Sequence, residues 1–496
     1  MHTPFFPSLR ACLAPLGRGA TASTRAIRQA TLAQIEQSFT AALDPGLLRQ
    51  NAAADHSRER IFPLARTVWC WIWQILQANT SCREVVRQVQ ALFALHGRSV
   101  DAGTSAYCQA RGKLSLGLLR KILAGLTQRV EQHAPPATLL RGRPLRLLDG
   151  SGMRLPDTPK NRAAFPPPKN QPPGTGFPHL KVLMLSSLQT GAILAHSLGS
   201  LWHHELRLFL GLRKWLKPGD IVVADRAFGV YLMAALLHQL GVDLVARLAS
   251  SRRLDFRKAH KRLGAWDALF VWAKPAKVSP LLRLSEWLGL PSQLTMRVVR
   301  VRVQRPGFRV RQLTVVTTLL DPALYPADEI LEAYLNRWRL EMSFDDLKTT
   351  LHLESLTCLT PKMVHKELLV FLMAHNLLRW LMVQAARGHG VNLHRLSFKG
   401  CLDGFRQFNQ ALAQLGKGKG SRKKRARLWA SFLATLCQDL VPERPGRREP
   451  RAVKRRQKYD YLNKSRHQWK DRPGRRARAV CARRKKKFAA GAKCKA

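Results

Sequence analysis

Residues 220–229 read DIVVADRAFG. Four apolar residues, Ile221 to Ala224, end on an acid, Asp225. A short apolar run closed by an acid and a turn reads as a strand buried on both faces. Downstream, Val230 to Leu240 reads as a helix and Val242 to Arg247 as the next strand. Upstream, Glu205 to Leu216 reads as a helix stopped by Lys217-Pro218-Gly219. Leu180 to Leu188 and Ala192 to Leu198 form a hairpin pattern around the turn Gln189-Thr190-Gly191. Leu145 to Leu148 is a further apolar run ending at Asp149-Gly150. Between these strands, Pro156 to Pro178 holds eight prolines in 23 residues and must be a loop. From 145 to 247 the order is strand, strand, strand, helix, strand, helix, strand. A hairpin followed by crossover units predicts an α/β layer.

The flanks differ from this centre. Residues 27 to 135 read as helical, with apolar residues at helical spacing in Leu64-Ala65-Val68-Trp69-Trp71-Ile72 and in Leu116 to Leu126. Residues 251 to 320 hold 15 Lys/Arg against 3 Asp/Glu. Within them, Met296 to Val303 and Phe308 to Thr318 are strand patterns across the turn Gln304-Arg305-Pro306-Gly307. Alternation puts Arg300 and Arg302 on one face, and Arg309 and Arg311 on one face of the return strand. Such a face suits nucleic-acid backbone, or simply solvent. Ala327 to Thr350 reads as one long helix and Lys366 to Ala385 as another. Residues 416–427 read as a flexible basic linker, with Arg427 to Cys437 as one more helix. From 441 onward there are 22 Lys/Arg against 4 Asp/Glu, interleaved with Tyr459, Tyr461, Trp469 and Phe488. That tail is expected to be disordered when free.

Composition narrows the function. The 496 residues carry 84 Lys/Arg and 31 Asp/Glu, a formal net charge of +53, yet 46% are hydrophobic. A folded body this basic calls for a polyanion, nucleic acid before an anionic membrane. The nine cysteines form no CxxC pair and no zinc set, the usage of a reducing compartment. The most apolar stretches, Ile61 to Leu76 and Leu368 to Val383, contain polar breaks and read as core helices, not spans. The first 35 residues contain no acid, a basic opening unremarkable in this composition.

Because acids are scarce, Asp149 and Asp225 at the ends of apolar strands stand out, for ligands gather at strand ends in α/β sheets. Two carboxylates in a dry site repel unless a cation neutralises them, and beside phosphates that cation is usually Mg²⁺. Either residue alone could equally cap a turn. Tyr334, Arg337, Glu341 and Lys348 fall at about 0°, 300°, 340° and 320° around a continuous helix, within a stripe of roughly 60°. One acid flanked by two cations and a phenol is not a core face. Asp345, at about 20° on the same wheel, leaves the identity of a third ligand open on periodicity alone.

These four residues match Tyr-x2-Arg-x3-Glu-x6-Lys, and on them the chain resembles the DDE transposases of bacterial insertion sequences, specifically the insertion-sequence-4 group. LLDGSGMRLPDTPKNRAAF around Asp149, DIVVADRAFG around Asp225 and YLNRWRLEMSFDDLKTTLHLESL around Glu341 are also similar to that family. So are YCQAR at 107–111, AHNLLRWLM at 374–382 and RPGRREPRAVKRR at 444–456. The likeness runs from about 60 to 470, with His375 standing where an aromatic is more usual. The resemblance implies a ribonuclease-H-like catalytic core at 139–250 and 321–400, interrupted by a β-rich insertion at 251–320. A helical DNA-binding domain at 1–138 and a helical segment with a basic tail at 401–496 would flank it. It implies Asp149, Asp225 and Glu341 as catalytic ligands of two Mg²⁺ ions, with Mn²⁺ as substitute. Tyr334, Arg337 and Lys348 would hold phosphates, and Arg300, Arg302, Arg309 and Arg311 would add backbone contacts. The activity implied is cut-and-paste transposition: end cleavage, a hairpin intermediate, then strand transfer. The partners are double-stranded DNA, as terminal inverted repeats and target, and a second copy of the chain on the DNA ends. The setting implied is the bacterial cytoplasm and nucleoid, with no membrane.

Two other classes remain: a DNA-binding protein without catalysis, and a related nuclease acting on junctions or RNA hybrids. Glu205 is a further acid either beside the site or merely opening its helix. Trp272 and Trp287 suit core packing better than stacking on a flipped base. His203-His204 lacks a ligand set and reads as structural. Arg83, Arg87, Arg98 and Arg111 either contact phosphates or face solvent.

Overall fold

The computed structural model describes residues 61–94, 97, 99–168, 176–249, 252, 254–302, 312–354, 356–415 and 419–442. The readings for 1–60, Arg98, Arg309, Arg311 and the tail beyond 442 lie outside them.

A nine-stranded sheet organises the chain. Its strands are β1 (Leu145–Arg154), β2 (His179–Ser187), β3 (Ile193–Ser200), β4 (Ile221–Ala224), β5 (Asp243–Arg247), β6 (Lys261–Gly264), β7 (Asp267–Ala273), β8 (Gln293–Arg302) and β9 (Gln312–Thr317). The order is β3-β2-β1-β4-β5-β9-β8-β7-β6. β2 pairs antiparallel with β1 on one side and β3 on the other, and Gly191 turns the β2–β3 hairpin at φ 70°. β4 and β5 then add in parallel beside β1. The strands of the basic segment extend the same sheet, because β9 pairs antiparallel with β5. In the β1–β4 register the last pair is Leu148 with Ala224. Asp225 therefore follows β4 at the level of Asp149, which lies inside β1 rather than at a strand end as the sequence suggested, because pairing with β2 continues to Arg154.

Period-two alternation divides the buried residues between two faces. Leu145, Leu147, Val182, Met184, Val223 and Val315 belong to one core. Leu148, Leu183, Leu185, Val222, Ala224 and Val316 belong to the other. The first core is covered by helices: α1 (Leu64–Leu76), α2 (Cys82–Ala94), α3 (Ser105–Lys113) and α4 (Leu116–Gln132) from the N-terminal part, and several from the C-terminal part. The second is covered by α6 (Glu205–Leu210), α7 (Tyr231–Gln239) and α8 (Leu284–Leu288), while the short α5 (Pro159–Ala164) interrupts the proline-rich loop. Gly229, at the turn into α7, lies so close to the Arg247 carbonyl that an added Cβ would stand 2.3 Å from its oxygen. Only glycine permits that approach.

Several elements differ from expectation. The helix read over 205–216 is the six-residue α6, with Gly211 at its end, followed by a 3-10 turn at Arg213–Trp215. The helix read over 327–350 is three pieces: α9 (Ala327–Leu335), α10 (Trp338–Asp345) and a π turn (Asp346–Thr350). At the first junction the backbone tightens to i→i+3 bonds, Arg339 N–H to Asn336 O and Leu340 N–H to Arg337 O. The Asn336 side chain competes there, donating to Glu332 O and accepting from Arg339 Nε. At the second, Leu351 N–H reaches Asp346 O, five residues back.

The second apolar stretch becomes α11 (Pro361–His389), longer than its apolar pattern because Thr360 caps its start and Gly390 ends it in the left-handed region. It is long and apolar enough to cross a membrane, but 94% of its most apolar window is buried in the protein. α12 (Phe398–Gln414) and α13 (Lys419–Leu436) pack against it. Lys419 to Arg427 is thus helical where a linker was expected. Lys, Arg and Ala are good helix formers, and buried Phe432 and Leu436 anchor the helix. The described cysteines are free thiols. Trp272 and Trp287 are buried, as core packing requires.

Candidate active site

Three elements deliver the acids. Asp149 lies on the face of β1 that carries Leu145 and Leu147, toward the first core. Asp225 ends β4, and its carboxylate accepts the Ala227 N–H at 2.9 Å, capping the turn that follows. Glu341 lies in the first turn of α10 and is exposed. Arg337, at the entry to α10, joins two of them. Its Nη1 donates to Asp149 Oδ2 at 2.9 Å and its Nη2 to Glu341 Oε1 at 2.5 Å. Glu341 is its i+4 neighbour along the chain, while Asp149 is reached across the fold on β1.

Burial raises the Asp149 carboxyl to about 6, although Arg337 and the Gly150 N–H both oppose the shift. The negative charges of Asp225 and Glu341 add to the rise, so both lie within electrostatic reach. Tyr334 is buried beside the same group. Burial raises its phenol, while a hydrogen bond with Arg337 and the charge of Arg247 lower it. Asp149, Asp225, Glu341, Arg337 and Tyr334 are thereby brought together.

The remaining expected residues are placed elsewhere. The π turn sets Lys348 in a neighbouring cavity of about 430 Å³, with Met153, Arg154, His179 and Glu354. Burial lowers its ammonium while Glu354 and Asp345 raise it. A continuous helix would have kept Lys348 on the Arg337 stripe; the junction and the π turn change that phase. Arg300 covers the rim of the second core, 4.6 Å over the Phe256 ring and 5.4 Å over Trp266, so it is not a freely solvated cation. Arg302 is exposed. Glu205 stands on the far face: an added Cβ at Gly150 would meet its Oε1 at 3.3 Å, and Lys181 lies 3.7 Å from it. His203 and His204 bond the backbone N–H groups of Ser200 and Leu206.

Among the described residues no three His, Cys, Asp or Glu side chains already form a metal cage. Arg337 holds the place between Asp149 and Glu341 that a cation bound by both would take. Three oxygen-donor acids around a displaceable positive charge suit a hard divalent ion, provided the guanidinium moves toward a phosphate.

Some supports had no signal in the sequence. Arg379, on α11, bonds Asp346 at 2.9 Å and so anchors the π turn. Arg297 is fully buried; it pairs with Asp267 and donates to Tyr325 O at 2.7 Å, tying the basic segment to the approach to α9.

Known proteins resemble the chain over the region that holds these residues. A family model described as a transposase DDE domain matches residues 140–377. The transposase InsG of insertion sequence element IS4, from Escherichia coli strain K12, is 26% identical over 431 residues, covering 84% of this chain and 91% of that protein. A cryo-EM structure of the piggyBac transposase synaptic complex with hairpin DNA overlaps 80% of this chain and 84% of that one. Its TM-score is 0.41 at 10% identity, too distant to equate the folds. The domain match over 140–377 and the IS4 transposase aligned along most of both sequences together support a DDE transposase of the insertion-sequence-4 type.

Proposed function

We propose that the chain moves an insertion sequence by cut-and-paste transposition, using Asp149, Asp225 and Glu341 to hold two Mg²⁺ ions, with Mn²⁺ as substitute. The observation that carries this is the single Arg337 guanidinium shared by Asp149 and Glu341, with Asp225 beside them. The strand order β3-β2-β1-β4-β5 supports reading 139–250 and 321–400 as a ribonuclease-H-like core. On that reading 251–320 is its insertion, 1–138 the DNA-binding domain and 401–496 a helical, basic C-terminal region.

When bound, the ions would activate the attacking oxygen and stabilise the leaving one. The chain's own residues do the rest. Asp149 supplies fixed oxygens from the middle of β1 and Asp225 from the end of the adjacent β4, and Glu341 supplies one from an exposed helical turn. Arg337 exchanges its carboxylates for a phosphate and neutralises it bidentately. Tyr334, bonded to Arg337, fixes where that guanidinium can point. Lys348 meets the backbone one cavity away, and Arg302 offers a further exposed cation. Arg309 and Arg311 are assigned the same role from sequence. Two copies would pair the inverted repeats before attacking target DNA in the bacterial nucleoid.

The test is end cleavage of a duplex carrying the element's own repeats. Asp149→Asn, Asp225→Asn and Glu341→Gln should each abolish Mg²⁺-dependent cleavage while binding persists. If Glu341→Gln cleaves and Asp345→Asn does not, Asp345 is the third ligand. Binding without cleavage by the wild type, in Mg²⁺ or Mn²⁺, would favour a protein that only binds DNA. Preference for junctions or RNA hybrids would favour a related nuclease.

A further inference from the structure

A second cavity, of about 380 Å³ and with a mixed lining, wraps the free edge of β3, away from the carboxylates. Its floor is a pair of imidazoles, His196 on β3 and His365 near the start of α11, with their Nε2 atoms 3.4 Å apart and their rings at 88°. Exposed Arg120 on α4 and exposed Lys214 on the turn after α6 also line it. Ser197 and half-exposed Trp215 complete the polar rim. Among the described residues, Arg120 and Lys214 have no acid within ion-pair distance. Burial and the nearby Arg120 charge keep both imidazoles neutral at ordinary pH, so the floor offers N–H donors rather than fixed charge.

That combination selects an anion. Two Nε2 atoms 3.4 Å apart can both donate to one oxygen at an ordinary distance of about 2.8–2.9 Å, each ring taking the Nε2–H tautomer. Two cations at the mouth would neutralise what the imidazoles orient, and would oppose a metal cation there. In the sheet register Asp149 aligns with Met184, and Met184 with His196. The floor thus lies two strands from Asp149, about 10 Å at the usual strand spacing, close enough for one DNA segment to touch both.

We propose that His196, His365, Arg120 and Lys214 form a seat for a phosphate group, occupied by one backbone phosphate of the bound DNA. This rests on the transposase reading above for the identity of the polyanion.

The experiment is fluorescence anisotropy of a labelled duplex titrated with the full chain at several salt concentrations. Arg120→Ala with Lys214→Ala removes exposed side chains and should leave the fold intact. It should lower the slope of log affinity against log salt by about 0.9, the loss of one neutralised phosphate. His365→Gln changes no charge at neutral pH, so it should weaken binding about tenfold at fixed salt with the slope unchanged. His196→Gln repeats that test from the other ring. If the charge variant weakens binding but both glutamine variants behave as wild type, the cavity is only a charged surface and the seat is wrong. If inorganic phosphate raises the melting temperature of wild type but not of the charge variant, and neither DNA slope nor affinity changes, the seat serves free phosphate, which overturns the backbone assignment. One equivalent of Zn²⁺ bound by wild type and lost in His365→Gln would make the imidazoles a metal site and overturn the anion. A wild type that binds no duplex at all would remove the DNA reading itself, an outcome distinct from variants matching a wild type that does bind.

Discussion

Asp149 answers to opposing demands. Its carboxyl is held at about 6 by burial and by two neighbouring acids, yet an arginine salt bridge favours its ionised form. An unfolded aspartate titrates near 3.8. The folded carboxyl therefore binds its proton more tightly, and the stability this gives is full below the unfolded value and lost as pH rises through about 6. The loss is on the order of 3 kcal/mol. Metal-free Asp149→Asn, which mimics the protonated form, should match wild type near pH 4 and be the more stable protein above pH 7 in thermal melts. A constant difference across that range would contradict the burial argument. Adding Mg²⁺ at pH 7 should reverse the order, because only wild type gains a ligand. Asp149 and Asp225 were legible because acids are rare in this chain and each closes an apolar run. Arg337 was legible only as a member of a spacing. Its pairing with Glu341 follows from i,i+4 spacing, but its bond to Asp149 joins segments 188 residues apart, which no periodicity reports.

Helix continuity was the weakest part of the sequence reading. The pattern from 327 to 350 gives no proline or glycine, so nothing in it announces a break. The structure breaks it twice, through the Asn336 side chain and through the Asp346-to-Leu351 bond. Asp346 holds the second break against Arg379, and burial raises its carboxyl to about 6 as well. Asp346→Ala should release the π turn, leaving Arg379 without its acid. It should reduce DNA affinity through misplaced Lys348 while leaving metal binding at Glu341 largely intact, measured separately by anisotropy and calorimetry. Equal damage to both would mean the turn supports α10 as a whole. The strands were read more reliably, since β1 to β5 each show a short apolar run between turn residues. The ion pair between β7 and β8 was not. Arg297 lies within ordinary strand alternation, yet it is 1% exposed and paired with Asp267. Arg297→Ala leaves that acid without its partner and should lower unfolding free energy by about 3–5 kcal/mol in urea titrations. His375 shows the converse. It stacks on Phe398 with centroids 5.2 Å apart, doing as a neutral ring what an aromatic would do.

Charge governs the molecule as a whole. A net +53 cannot be distributed over a folded body without strong self-repulsion, so bound polyanion should stabilise the protein as well as engage its site. The excess is uneven: residues 441–496 hold 22 Lys/Arg against 4 Asp/Glu, while the converging acids all come from the sheet and the helix that follows it. The described fold closes before that tail, at the backbone bond from Val441 N–H to Arg395 O. A chain ending at residue 442 should therefore keep its melting temperature and its metal-dependent cleavage. What it should lose is part of the electrostatic hold on DNA. If the full chain neutralises about 6–10 phosphates, its affinity falls roughly 10³–10⁵-fold between 50 and 200 mM salt. The shortened chain should show a distinctly shallower fall, and its remaining slope would measure the contacts made by the folded body. Equal slopes for the two chains would place the phosphate contacts entirely on that body. A cleavage defect that persists when salt is lowered to restore binding would show that the tail does more than hold DNA.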